Sequence, residues 1–163
     1  MVVYPRPRDP STPITIMILP LIQLPDERLH HLSTMIKRSD ISTTHFQQRL
    51  HDFRETMVHA KGVGIAGVQV GYCSQVFLAM NKEKPFYLIN PEFVWHGEAM
   101  DTEEEGCLSV PGTYGKVKRY TSVRIKGLNE RGLPIELKAR GYFAKILQHE
   151  FDHLQGTLFV DRL

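Results

Sequence analysis

The spacing of apolar positions changes along the chain, from helical in the first third to strand-like in the middle and helical again near the C-terminus. The first stripe recurs every three or four residues and comprises Phe46, Leu50, Phe53 and Met57. It predicts a helix that is capped within Ser42–Thr44 and ended by Gly62. A shorter helical segment is expected before it, within Leu24–Ile36.

Strands are predicted from Gln75 to about Leu137, where β-branched and aromatic residues come in short runs or in alternation. The predicted strands are 75–79, 86–89, 122–128 and 133–138. The last two flank the turn Asn129–Gly132 and therefore form a hairpin. Helices at the two ends with antiparallel strands between them predict an α+β fold.

The C-terminal helix is predicted between Gly141 and Gly156, an interval that contains no proline. Its apolar positions fall on two faces, one beginning at Tyr142 and the other at Phe143. A helix that is apolar on two faces is buried in its domain. We therefore expect antiparallel sheets packed around this central helix.

This helix carries His149-Glu150-Phe151-Asp152-His153, an H-E-x-x-H pattern. Because residues four apart lie on one face of a helix, both imidazoles can reach one cation, and Glu150 can reach a water bound to it. On this pattern alone, a buried helix whose two histidines are only hydrogen-bonded remains the alternative.

Cys107, within Glu105-Gly106-Cys107-Leu108-Ser109, is the candidate for a third metal ligand. A thiolate and two imidazoles suit a borderline or soft divalent ion, and the spacing favours zinc. Three protein ligands leave the fourth position open, as a catalytic site requires. A buried inert thiol and a nucleophilic thiol are the other interpretations, and the second needs a histidine that is free to act as a base.

A glycine-rich stretch, Gly62–Gly71, follows the first long helix. Its glycines disfavour a helix interior, at about 1 kcal/mol each relative to Ala, and suit a backbone that another group approaches closely. Three interpretations stay open: a loop that lines a substrate site with the Gln69 amide as a donor, a phosphate-binding loop, and a plain turn. The phosphate loop is the weakest because the Gly-Lys-Ser/Thr ending is missing.

Composition limits the class of protein. The 163 residues, 42% hydrophobic and 23% charged, suffice for one domain with its own core. A net charge of +2 gives no bulk attraction to nucleic acid or to an anionic membrane. Two cysteines fit a reducing compartment better than a disulfide framework.

Prolines near the N-terminus predict a flexible extension over 1–20, followed by a single domain over 21–163.

Three motifs in order carry a resemblance to a known family: the glycine-rich loop with Gln69, Glu-Gly-Cys-Leu-Ser, and Gln-His-Glu-x-Asp-His-Leu. Together they resemble peptide deformylase over roughly Leu24–Leu163. The resemblance implies a metal-dependent hydrolase that removes the formyl group from the N-terminal formyl-methionine of newly made proteins and releases formate. The attacking group would be a metal-bound water.

The resemblance also implies the catalytic roles. The metal ligands would be Cys107, His149 and His153. In this family the ion is usually ferrous iron, Fe(2+), and zinc, nickel or cobalt can replace it. Glu150 would act as general base and acid, while the Gln69 side chain and the Leu108 amide would stabilise the oxyanion.

Further residues match substrate-binding and supporting positions of the family. The substrate-binding set would be Val63, Gly64, Gly106, Tyr142 and Ile146. An ion pair between Arg119 and Asp152 would support the site, with Gln148 and Ser109 hydrogen-bonded around the ligands. Three positions depart from the family: Gly67, expected to loosen the backbone beside Gln69; Lys145, whose amine is expected to reach water; and Tyr120, where proline is common.

Two other classes stay open. A zinc peptidase can use H-E-x-x-H, but it would need a further ligand downstream, where Asp161 is the candidate. A non-catalytic metal-binding module would need neither Glu150 nor Gln69.

The resemblance further implies formyl-methionyl nascent peptides as partners and a transient ribosome contact. It implies a monomer without direct nucleic-acid or membrane binding. The expected location is a bacterial cytoplasm, with an organelle as the alternative.

Overall fold

A computed structural model describes residues 16–163. Its helices are α1 (Arg38–Ile41), α2 (Thr44–His59) and α3 (Gly141–Leu154). Its strands are β1 (Gly64–Ala66), β2 (Val76–Asn81), β3 (Lys84–His96), β4 (Met100–Cys107), β5 (Val110–Tyr120), β6 (Ser122–Leu128) and β7 (Pro134–Arg140). Single 3-10 turns occupy Glu27–His30, Gly67–Val70 and Phe159–Arg162, and the last is called the terminal 3-10 helix. This order of elements confirms the predicted α+β fold.

The strands form two antiparallel units. The larger sheet has the order β1-β2-β3-β6-β7, and β4 and β5 form a separate hairpin. The predicted strand 122–128 has the observed bounds of β6, whereas β3 continues beyond the predicted 86–89 to His96. Its pairing with β6 shifts between Ile89 and Glu92, where Pro91 has no N–H to give to the ladder.

Helices α2 and α3 cover opposite faces of the larger sheet, as the side-chain alternation of β2 shows. Phe77 and Ala79 belong to the core cluster that includes α3, while Val76 and Leu78 belong to the cluster that includes α2. Because successive strand residues point to opposite faces, a strand covered on both sides is apolar throughout. The expectation of a central C-terminal helix is therefore confirmed, and the strand beneath it holds that helix in place.

The helix ends follow local chemistry. The hydroxyl of Thr43 accepts the Phe46 N–H at 3.3 Å and caps α2, as predicted, but the helix ends at His59, before Gly62. The prediction of a helical segment within Leu24–Ile36 is largely wrong, because the helical structure in that stretch is limited to one 3-10 turn. Beyond that turn the backbone pairs with other elements instead, including a bridge between Thr34 and Ser74.

The N-terminal end of the described chain lies along α2. The amides of Met17 and Leu19 donate to Asp52 and Thr56 at 3.2 and 2.9 Å. Residues 1–15, which make up most of the predicted extension, lie outside the described residues. No helix within 16–163 is long and apolar enough to cross a membrane.

Candidate active site

Three metal-ligating side chains meet beside α3. The candidate ligand atoms of Cys107, His149 and His153 all lie within 4.8 Å of one another. The helix supplies the two histidines one turn apart, and β4 ends at the cysteine, whose Sγ is 3.2 Å from Nε2 of His153. The structure therefore brings the predicted ligand set together.

The surroundings of this cluster fit a cation. Nδ1 of His149 lies 2.9 Å from a carboxylate oxygen of Glu105, so Nε2 remains as its ligand atom. Burial alone would lower the pKa of His149, but the hydrogen bonds with Cys107 and Glu105 outweigh burial and raise this pKa to about 10. Groups that favour a positive charge on this ring also favour a divalent ion beside it. A thiolate with two imidazoles suits a soft or borderline metal.

Glu150 is a buried acid next to the cluster. Its residue exposure is 4%, and Oε2 has no hydrogen-bond partner within the described chain. Burial raises the pKa of this carboxyl to about 7, and a neighbouring cation would lower it. A Cβ on Gly64 would lie 2.1 Å from Oε1 of Glu150, so only glycine leaves room for the carboxylate there.

The Gln69 side chain is held in one orientation. Its Oε1 accepts the Ala66 N–H at 2.8 Å, which directs Nε2 towards the metal cluster. There Nε2 donates to the Ser109 hydroxyl at 3.1 Å and to Sγ of Cys107 at 3.4 Å. Among the interpretations of the glycine-rich stretch, this geometry favours a loop that lines a site and presents the Gln69 amide.

A cleft of about 640 Å³ opens onto these groups. Its walls include every residue predicted to bind substrate, namely Val63, Gly64, Gly106, Tyr142 and Ile146. Leu108, Gln69, His149 and Glu150 also line it, while His153 is fully buried behind them. The cleft thus joins the candidate ligands, acid and amide donors in one space.

Comparison with known proteins shows the family of the chain. A sequence model described as polypeptide deformylase matches residues 18–163. The chain belongs to the peptide deformylase family. The peptide deformylase of Stutzerimonas stutzeri is 44% identical over 149 residues, 90% of this chain and 87% of that protein.

Solved structures of peptide deformylases share the fold. The class I type b enzyme of Acinetobacter baumannii, with Met-Ala-Ser bound, has a TM-score of 0.87 and 31% identity, covering 91% of this chain and 100% of that one. The Ehrlichia chaffeensis enzyme in complex with actinonin has a TM-score of 0.87 and 31% identity, covering 91% and 90%. This chain is therefore an enzyme of the peptide deformylase family.

The charged surroundings of the deformylase site are richer than the sequence indicated. The predicted ion pair is present, with Nη1 of Arg119 at 2.5 Å from Asp152. Arg119 also forms an ion pair with Glu105, and Asp152 forms a second one with Arg162. Neither of these two further ion pairs was predicted. Burial alone would raise the pKa of Glu105, but hydrogen bonds from Arg119 and His149 hold it at about 2. The tendency of a ligand histidine to pair with a carboxylate is the signal that could have found Glu105.

Two of the three departures have contacts that the sequence did not indicate. At Gly67 a Cβ would lie 2.4 Å from the Tyr72 carbonyl oxygen, so this backbone leaves no room for alanine. The Lys145 amine does not reach open water, because the side chain is 7% exposed and pairs with Asp101 at 3.3 Å and with Glu103. Its pKa is raised, since these two carboxylates outweigh the effect of burial.

The third departure, Tyr120, is explained by Gln148. Oε1 of Gln148 accepts the Tyr120 N–H at 3.1 Å, and Nε2 donates to the Tyr120 carbonyl at 2.9 Å. A proline at position 120 would remove the first bond. Gln148 thus fastens α3 to β5, which corrects the expectation that it bonds around the metal ligands. Ser109 does bond there, since its N–H donates to Sγ of Cys107 at 3.4 Å and its hydroxyl accepts from Gln69.

Proposed function

We propose that this chain hydrolyses the formyl group of N-terminal formyl-methionine in newly made proteins and releases formate. The observation that carries this proposal is that Glu150, a buried acid, lines one cleft with the Gln69 amide and with Cys107 and His149 of the Cys-His-His cluster. Membership of the family supports the activity.

A divalent ion would be held by Cys107, His149 and His153. When bound, it would polarise the formyl carbonyl and lower the pKa of a water to about 7. We propose ferrous iron as the ion used in the cell, with zinc, nickel or cobalt able to occupy the same ligands. The donor set accepts all four, so the ligands alone do not select among them.

Glu150 would move the proton. Its carboxylate takes a proton from the attacking water and delivers it to the leaving amine, a contribution typically worth about 10²–10⁴ in rate. The partnerless Oε2 and the raised pKa of this buried group support that role. Gly64 supports it too, because its missing side chain is what lets the carboxylate lie there.

The developing oxyanion would be stabilised by two N–H donors. One is Nε2 of Gln69, whose hydrogen on Sγ of Cys107, at 3.4 Å, would turn to the oxyanion while the contacts with Ala66 and Ser109 keep the amide oriented. The other is the backbone N–H of Leu108. A donor that is oriented in advance needs little reorganisation during the reaction, and losing one typically costs about 10²–10³ in rate.

The cleft would select the substrate. Backbone groups of Val63, Gly64 and Gly106 would pair with the peptide main chain, while Tyr142 and Ile146 would border the methionine side chain. A formyl carbon carries only hydrogen, so a tight fit there would exclude acetyl groups by size. Met-Ala-Ser, bound to the Acinetobacter enzyme, is the product that deformylation of such a substrate would give.

The wider setting follows from that substrate. Formylated nascent chains are made where translation starts, so we propose a bacterial cytoplasm and a transient contact with the ribosome. The chain would act as a monomer, since every group named in the mechanism belongs to one copy.

The test is formate release from formyl-Met-Ala-Ser by nickel-loaded protein, beside Glu150→Ala and a remote control, Glu83→Ala. We expect rapid release by wild type and the control, and near-complete loss in Glu150→Ala with its metal retained. Equal rates in wild type and Glu150→Ala would contradict the role of Glu150. No release by metal-loaded wild type would favour a binding module, and cleavage of internal peptide bonds would favour a peptidase.

A further inference from the structure

A series of charged side chains, exposed at Arg162 and buried beyond it, connects the terminal 3-10 helix to the candidate ligand His149. Arg162 donates to both carboxylate oxygens of Asp152, at 2.5 and 2.6 Å. Asp152 also accepts from Nη1 of Arg119 at 2.5 Å, and Arg119 donates to both oxygens of Glu105, at 2.8 and 3.0 Å. The series ends at Nδ1 of His149, 2.9 Å from Glu105.

Burial makes the geometry of these bonds matter. The side chains of Arg119, Asp152 and Glu105 are 4%, 9% and 12% exposed, whereas that of Arg162 is 43% exposed. Two guanidinium groups alternate with two carboxylates, so their charges cancel. In surroundings with little water, each of the three buried groups depends on its neighbours for compensation and for orientation, and Arg162 supplies this to Asp152 from the surface.

Arg162 is the member that fixes the plane of the Asp152 carboxylate. It binds both oxygens in a fork, whereas Arg119 binds only Oδ2. A guanidinium fork sets the direction of a carboxylate in a way that a single contact does not. Without Arg162, Asp152 keeps one bond and can rotate. The Arg119 fork on Glu105 remains, but Arg119 loses the fixed carboxylate on its other side, so the position of the fork is less firmly set.

The terminal 3-10 helix is well placed to hold Arg162. Its Phe159 is 1% exposed and stacks on His149, with ring centroids 6.3 Å apart and planes at 24°. The Leu158 N–H donates to Asp161 at 2.7 Å and closes the start of the turn. One short element thus contacts the metal ligand directly through Phe159 and indirectly through Arg162.

We propose that Arg162 is a positioning residue for the metal ligand His149, acting through Asp152, Arg119 and Glu105. The inference rests on the metal site proposed above. Removing the fork leaves the imidazole less firmly oriented, so the ion is held less well. Loss of a group that orients a ligand typically costs 10–100-fold in metal affinity, and for this more distant group we expect about 10-fold.

The experiment uses the cobalt-loaded full chain, whose visible absorption reports the ligands around the ion. The rate of cobalt loss to excess chelator and the absorption spectrum are recorded for wild type, Arg162→Ala, Arg162→Lys and Arg131→Ala. Arg131, 79% exposed in the hairpin turn, is the matched control for loss of an arginine. Thermal unfolding of each variant shows whether it is folded.

We expect Arg162→Ala to lose cobalt about 10-fold faster than wild type, with a shifted spectrum, and Arg162→Lys to recover part of the difference. Arg131→Ala should match wild type. Equal rates and spectra in Arg162→Ala and wild type would overturn the inference, even with a lower unfolding temperature, because Arg162 would then only stabilise the fold. Equal losses in both Ala variants would overturn it too. Wild type without thiolate–cobalt absorption would overturn the metal site itself, and the inference with it.

Discussion

Gly64→Ala is the change that most directly tests how the acid is placed. The added Cβ would lie 2.1 Å from Oε1 of Glu150, 2.6 Å from Cδ and 2.9 Å from Cγ. The backbone at position 64 has an ordinary φ, so alanine meets no conformational strain there. The substitution therefore acts through contact with one side chain.

The size of the effect follows from that overlap. Real Cβ contacts under 3.0 Å are essentially never seen, so the carboxylate has to retreat by about 1 Å. At 4% exposure, Glu150 has little space on α3 for the movement. A displacement of about 1 Å in a catalytic group costs roughly 10²-fold in rate, within the 10²–10⁴ that a general base contributes. We expect kcat to fall about 10²-fold.

The assay is steady-state formate release by nickel-loaded protein, run on Gly64→Ala, Glu150→Ala and the double variant. If the effect passes through Glu150, Gly64→Ala adds no further loss where the carboxylate is already absent. Gly132→Ala is the control: φ there is +72°, so alanine costs stability in the remote hairpin, while kcat should be unchanged. Wild-type kcat in Gly64→Ala, or additive losses in the double variant, would refute the reasoning.

Three other features lead to expected outcomes of their own. Ser109→Ala removes the acceptor 3.1 Å from the Gln69 amide; kcat for formate release should fall, by less than the roughly 10²–10³ expected for losing the donor, at constant KM. Tyr87→Phe removes the hydroxyl that donates to Leu50, and burial raises the pKa of Tyr87 from 10.0 to about 12. The free energy of unfolding that wild type gains over Tyr87→Phe should therefore be fully present below pH 10 and lost as the pH rises to 12. Urea titrations of the two proteins across this pH range measure the difference. Chelation should lower the unfolding temperature in calorimetry, because an ion at 1,000 times its Kd stabilises the folded state by about 4 kcal/mol.

The parts of the fold that local spacing determines could be predicted from the sequence. The bounds of β6 came from strict alternation, and α3 was placed between its flanking glycines to within two residues. The H-E-x-x-H pattern correctly predicted neighbouring histidines for the same reason, since helix geometry alone puts His149 beside His153. Cys107 needed its own motif, because nothing local brings β4 to the helix.

Apart from the Arg119–Asp152 pair, which the family resemblance implied, the ion-pair partners could not be predicted, because they depend on how separate elements pack. The register of the β4–β5 hairpin sets Arg119 opposite Asp101, which a cross-strand rule would pair. In the structure Arg119 turns to Glu105 and to Asp152 of α3, while Asp101 pairs with Lys145. Residues 101–105 hold four acids within five positions, and the sequence does not distinguish them.

The buried polar residues of α3 differ in whether their side chains have hydrogen-bond or ion-pair partners. The ones that lack a partner indicate where the candidate site lies. Lys145, Gln148 and Asp152 each find their partners on neighbouring strands or on the terminal 3-10 helix. A buried polar group with its partners in place gives rigidity and is costly to disturb. Oε2 of Glu150, by contrast, has no partner within residues 16–163, although the side chain faces a cleft lined by donors. Nδ1 of His153, a candidate metal ligand, is the other buried α3 atom without a partner within these residues. The two unsatisfied atoms therefore both belong to the candidate site, and Oε2 of Glu150 is available to a molecule that enters the cleft, as the proposed base requires.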